Sequence, residues 1–194
     1  MSLGYNKNLT KFFLILLIFF LSIEKSFSIG PDVFIQSTVN RASAALSDSF
    51  SKEEKIKKLK NIAKETVDIK GIGLYTIGKF RKEMSDEVKA EYLKLFEKYF
   101  LKTFSDRLSE YANPKVRVDG SKKLNENYTI VSSVLVATKE RPEIKIDWRV
   151  YTKDLQNLMI RDLIIEGLSL ARTQKEEFNS IIISNDGDIN ALFN

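Results

Sequence analysis

Three regimes of apolar patterning divide this chain. An unbroken uncharged run, nearly all Phe, Leu and Ile, occupies Phe12 to Ile23. From about residue 31 to residue 112 apolar residues recur at intervals of three and four, as on amphipathic helices. From about residue 115 to residue 165 they alternate, as on half-buried strands, before helical spacing returns.

Within the helical regime, Pro31-Asp32 opens a loosely periodic segment through Val33, Phe34, Val39, Ala42, Ala45 and Leu46, ending near Ser47-Asp48-Ser49. Ser51 followed by Glu54 has capping-box spacing and starts a second helix. Its apolar positions are Ile56, Leu59, Ile62, Ala63 and Val67, with Lys55, Lys57, Lys58 and Lys60 between them. Gly71 and Gly73 interrupt the pattern, and a short helix is expected from Leu74 to Arg81. Ser85-Asp86-Glu87 then gives a cap and two acidic residues in a first turn, which suits the helix dipole. No breaker follows until Asn113-Pro114, so a helix from Ser85 to Tyr111 is predicted, about 40 Å long if a break near Ser105 does not shorten it. Two stripes overlap on it: Val88, Tyr92, Leu95, Phe96, Tyr99, Thr103 and Leu93, Phe96, Phe100, Phe104, Leu108, Tyr111. A helix apolar around so much of its girth is buried on more than one side.

After Pro114, Lys115–Asp119 reads as a short strand and Gly120-Ser121 as a turn. Tyr128 to Thr138 is a long run rich in Val, Ile and Thr, and Ile144 to Val150 alternates cleanly. Leu158 to Ile165 forms the fourth strand. Short connections between neighbours argue for an antiparallel meander. Helices are expected over Thr173–Ile183 and Ile189–Phe193. The order gives one α+β domain: N-terminal helices, a four-stranded meander packed on the long helix, and C-terminal helices.

The apolar run at the start is preceded by Lys7 and Lys11 and followed by Ser26-Phe27-Ser28, the order of a secretory signal ending at residue 28. Twelve residues span about 18 Å, short of a bilayer core of about 30 Å. An exported chain with residues 29–194 as one domain is expected. Three Lys and one Glu fall within residues 1–28, which leaves 28 basic and 25 acidic groups beyond them, a net charge of +3. That is far from the basic patch of a nucleic-acid binder. The chain has no Cys, so packing alone must hold it, and no His. The lack of His removes the commonest general base, the commonest zinc ligand and the usual partner of a nucleophilic Ser.

What remains for chemistry is sparse. Asp147, Asp162 and Glu166 on neighbouring strands could act as paired carboxylates, but Lys145, Arg149 and Arg161 beside them suggest cross-strand ion pairs on a solvated face. The Lys-rich second helix could meet anionic headgroups or be an ordinary wet face. Gly71-x-Gly73 could offer N–H groups to a phosphate or mark a bend between helices. The aromatic supply carries more weight: Tyr92, Phe96, Tyr99, Phe100, Phe104 and Tyr111 on one helix face strands offering Ile146, Trp148, Val150, Leu163 and Ile165. Pattern alone leaves open whether these fill a core or line a cavity.

Two segments carry a family resemblance. Val67–Tyr111 is similar to the helical signature of the MlaC family, the toluene-tolerance auxiliary proteins of an ABC lipid-transport system: an Asp, a helix with an aromatic and basic close, then a capped helix with spaced Phe. Ile146–Phe178 resembles that family's strand–turn–strand ending in Asp-x-x-x-Glu-Gly-x-Ser-Leu, here Asp162, Glu166, Gly167, Ser169 and Leu170. The resemblance implies a non-catalytic periplasmic carrier with no cofactor or metal, expected as a monomer. It would hold a phospholipid by its acyl tails between helices and sheet. It would shuttle that lipid between an outer-membrane lipoprotein complex and the lipid-binding subunits of an inner-membrane ABC transporter. Two tails carry about 30 methylenes, worth about 24 kcal/mol at about 0.8 kcal/mol each, so such a carrier needs a long apolar cavity. The lining expected from the alternation is Phe96, Phe100, Phe104, Trp148, Val150, Leu163 and Ile165. An exported interaction module with a filled core, or a carboxylate hydrolase, are the rival readings.

Overall fold

The computed structural model describes residues 29–139 and 141–193. The expected signal segment, residues 1–28, lies outside them. Among the described residues no helix is long and apolar enough to cross a membrane.

Helix α1 (Pro31–Ala45) has Pro at its first turn, where the missing N–H costs nothing. Helix α2 (Lys52–Thr66) starts on the anticipated capping box: the Glu54 N–H donates to Ser51 Oγ (3.2 Å) and the Ser51 N–H to Glu54 Oε2 (2.9 Å). That backbone bond from Ser51 is the main cause holding the Glu54 carboxyl below its ordinary pKa. Helix α3 (Ile69–Thr76) begins five residues earlier than the glycine pattern predicts, because Asp68 caps it by accepting from the Gly71 N–H (2.8 Å). Both glycines therefore lie inside the helix, and the Gly71 N–H that a phosphate would need is occupied. A 3-10 turn, Gly78–Lys82, takes the place of the expected end of this helix.

Helix α4 (Asp86–Ser109) is capped by Ser85 and runs unbroken past the buried Ser105, whose hydroxyl donates back to the Leu101 carbonyl (2.7 Å) instead of opening a break. The meander follows as β1 (Val116–Lys123), β2 (Tyr128–Leu135), β3 (Ile144–Tyr151) and β4 (Met159–Ile165). A fifth strand, β5 (Leu168–Ser169), corrects the four-strand expectation and leads into α5 (Leu170–Ser184) and a 3-10 turn, Ile189–Leu192. Two residues are too short a strand for periodicity to reveal. Gly120-Ser121 is not a turn either. β1 continues through it, the register slipping by one residue between Val118 and Gly120.

The strands pair antiparallel in sequence order. α1 covers β1 and β2, and α3 and α5 lie along β4. α4 packs chiefly on α2 and α3, so the sheet is not built directly on the long helix, which corrects the expected packing of the meander on it. Backbones stand apart there and side chains span the distance: Phe96, Phe100 and Phe104 share one hydrophobic cluster with Val131, Trp148 and Val150. The α2–α3 joint is tied to the sheet by a parallel bridge, Val67 to Ile160. Arg161 reinforces it, its Nη2 on Asp68 Oδ2 (2.6 Å), its Nη1 donating to Tyr128 Oη (3.2 Å), its guanidinium over the Tyr151 ring (4.2 Å).

Candidate functional site

Helical spacing decides which aromatic rings meet. At 100° per residue, Phe96, Phe100 and Phe104 lie 40° apart in succession on one face of α4. Their rings follow suit: Phe96 to Phe100 is 6.2 Å between centroids, and Phe100 to Phe104 is 5.7 Å and nearly parallel. Close ring pairs of this kind, one tilted and one stacked, are favourable beyond the area they bury. Tyr92 extends the file toward the helix start (5.9 Å from Phe96), and Phe178 of α5 meets Phe96 edge-on at 6.3 Å.

Burial is graded along this file. Tyr92 and Phe96 are fully buried, while Phe100 and Phe104 are only half-buried. The tight end has a visible cause. Gly73 lets α3 approach so closely that a Cβ there would stand 2.8 Å from Phe96 Cδ1. Tyr92 Oη lies 2.8 Å from Thr76 Oγ1 and donates to the Gly73 carbonyl (3.2 Å), so its hydroxyl is satisfied, and burial raises its pKa well above the ordinary phenol value. The file is thus sealed at Tyr92 and looser toward Phe104.

The strand residues divide. Val150 is fully buried and Trp148 is half-buried, its Nε1 donating to Ser133 Oγ (2.8 Å); both belong with the three Phe. Leu163 stands opposite Trp148 and Ile165 opposite Ile146, so the predicted face is shared, but these two are half-buried and lie outside the packing of that cluster. Sequence reasoning missed Val131, Ile160 and Phe178 as partners. Val131 is the alternate residue of a run whose facing neighbours were unknown. The Ile160 face depends on a bulge that leaves Arg161 unpaired between the Val150–Ile160 and Arg149–Asp162 pairs. Two concavities open to the surface elsewhere, one of about 730 Å³ between Tyr75 and the α5 residues Arg172, Lys175 and Ile183, the other of about 360 Å³ at Arg107, Glu110 and Tyr111. None of the seven predicted lining residues borders either.

The carboxylates of the Asp-x-x-x-Glu-Gly-x-Ser-Leu run are structural joints. Asp162 is buried rather than on a solvated face: it accepts from Ser169 Oγ (2.6 Å) and the Ala171 N–H (3.0 Å) and lies 3.4 Å from Arg149 Nη1. Ser169 Oγ in turn accepts from the Arg172 N–H (3.1 Å), so Asp162 and Ser169 together seat the start of α5 on β4. Glu166 and Gly167 make the two-residue β4–β5 turn with φ of 48° and 83°. The left-handed turn asks for Gly, and Glu166 is tolerated there with its Oε1 accepting from the Lys145 N–H (2.5 Å). Asp147 accepts from Ser132 Oγ (2.6 Å). Each carboxylate thus has a local structural partner, and the described residues hold no cluster of three metal-ligating side chains.

Among solved structures, the chain is similar to a phospholipid-binding protein from Ralstonia solanacearum, determined in complex with a phospholipid. The TM-score is 0.71 and the identity 18%, over 84% of this chain and 93% of that one, a likeness of fold. No curated protein matches the chain. The sequence pattern of the MlaC protein family matches residues 36–194, a span that begins within α1 and takes in every later element, the Phe file and the Asp162–Leu170 joint alike; the chain belongs to the MlaC family.

Proposed function

We propose that this protein is a periplasmic phospholipid carrier that shields acyl tails between the Phe96–Phe100–Phe104 face of α4 and the inner face of the sheet. The observation that carries the reading is the graded file itself. Rings that are sealed at Tyr92 and Phe96 but half-buried at Phe100, Phe104 and Trp148 suit a groove that tails enter from one end. Family membership and the fold shared with a protein solved around a phospholipid support it. The stand-off between the α4 backbone and the sheet is what a carrier needs. Side chains that meet across a gap can part by rotamer changes without breaking a ladder of backbone hydrogen bonds, whose loss would be far more costly. On this reading lipid passes between an outer-membrane lipoprotein complex and an inner-membrane ABC transporter, with no chemistry at the lipid.

The test is to express the full chain in the envelope of a Gram-negative host, purify it, and compare its mass under native and denaturing conditions. The expected result is a native mass in excess by one phospholipid, released on denaturation. A native mass equal to the polypeptide, unchanged after incubation with phospholipid vesicles, would overturn the proposal and leave an interaction protein with a filled core.

A further inference from the structure

The face of α4 that carries the Phe file does not end at Phe104. Eleven residues beyond Phe96, Arg107 returns to within 20° of the same direction, about 16 Å further along the helix. Glu110 closes α4, and Tyr111 follows with its N–H on the Leu108 carbonyl. Arg107, Glu110 and Tyr111 line the open concavity of about 360 Å³. Arg141, from the loop between β2 and β3, places its guanidinium over the Tyr111 ring (5.2 Å). One of its nitrogens, Nη2, reaches the Val136 carbonyl (3.4 Å), and its Nε is buried without a hydrogen-bond partner. Arg107 and Glu110 are both exposed, and neither makes an ion pair among the described residues. The nearby Asp106 is already engaged by Lys102 (2.9 Å).

From this juxtaposition we propose that the C-terminal end of α4 is a headgroup subsite, in which Arg107 and Arg141 face a phosphodiester and Glu110 faces a primary ammonium. The inference rests on the carrier reading. Its direction follows from burial: the file is sealed at Tyr92 and loosens toward Phe104, so the polar end of a lipid emerges where these charges stand. Two guanidiniums match a phosphodiester. Taken alone they would favour any anionic lipid. Glu110 and the partial negative charge of the helix C-terminus change that preference. Both repel a headgroup that bears only negative charge and both attract an ammonium a few bonds from the phosphate. The subsite therefore favours phosphatidylethanolamine over phosphatidylglycerol.

The experiment loads the full chain from vesicles with equal amounts of the two lipids and reads the released headgroups by mass spectrometry. The wild type should enrich phosphatidylethanolamine about fivefold, the scale of a single exposed charge contact. Glu110→Lys should reverse the preference. Arg107→Gln and Arg141→Gln should each lower occupancy by both lipids, with circular dichroism unaltered. If the wild type and Glu110→Lys are both fully loaded with equal proportions, the subsite is refuted and the carrier stands. If no variant or wild-type sample takes up either lipid, the carrier reading fails and the subsite with it.

Discussion

Asp162 offers a sharp test of whether the Glu-Gly-x-Ser-Leu region is a joint or a reactive centre. Replacing it by Ala removes an acceptor that is almost wholly shielded from water. Its bonds to Ser169 Oγ and the Ala171 N–H are charge-assisted, each worth about 1.5–3 kcal/mol. Arg149 would be left half-buried without its partner, with its Nε already unpaired. Breaking a buried, hydrogen-bonded carboxylate in this way costs about 3–5 kcal/mol. For a domain of this size that lowers the melting temperature by about 10 °C. The matched control is Asp147→Ala, whose carboxylate is more open and accepts from Ser132 Oγ, and which should cost less than about 1 kcal/mol. Urea titrations of both variants, read by circular dichroism, give the two values. Equal and small losses would show that the bonds seating α5 on β4 add nothing and that Asp162 is no joint.

Phe104→Glu, at a half-buried position, should leave the fold intact but cut lipid occupancy at least about tenfold, whereas Val150→Glu buries an uncompensated charge and should yield unfolded protein, as circular dichroism and lipid mass spectrometry would distinguish. A folded, fully loaded Phe104→Glu would remove that ring from the lining. Gly73→Ala should destabilise by about 1–3 kcal/mol despite the better helix propensity of Ala, because its Cβ collides with Phe96; Phe96→Leu in the same chain should recover part of the loss in a double-mutant cycle. Tyr92→Phe should cost about 1–2 kcal/mol at neutral pH through the bonds to Thr76 and Gly73. Burial raises the Tyr92 pKa, so its contribution is complete below the unfolded-state value near pH 10 and lost as the pH climbs above it. The wild type should therefore lose its margin over Tyr92→Phe in that alkaline range, and a constant margin would count against the buried hydroxyl.

Local chemistry was legible in the residues themselves. The Ser51–Glu54 box and the Ser85 cap with Asp86 and Glu87 are decided within a few positions, and α2 and α4 begin where those caps stand; α4 ends at Ser109, two residues short of the expected Tyr111 and ahead of the Asn113-Pro114 stop. The Phe96–Phe100–Phe104 file was equally readable, since a helix turns by 100° per residue whatever surrounds it. What the sequence could not decide were facts that depend on a second element. Gly73 matters because Phe96 of α4 comes up against it, whereas the Asp68 cap that starts α3 early is a local bond to the Gly71 N–H that the pair of glycines masked. A bulge at Arg161 changes which β4 residues face Val150, and pairing alternation cannot foresee an inserted residue. Asp162 looked like a surface ion-pair partner until the start of α5 folded over it. The same holds for the gradient from sealed Tyr92 to half-buried Phe104: one stripe of rings is compatible with a filled core or an open groove, and only the distances at which α3, α5 and the sheet approach α4 settle how much water each ring sees.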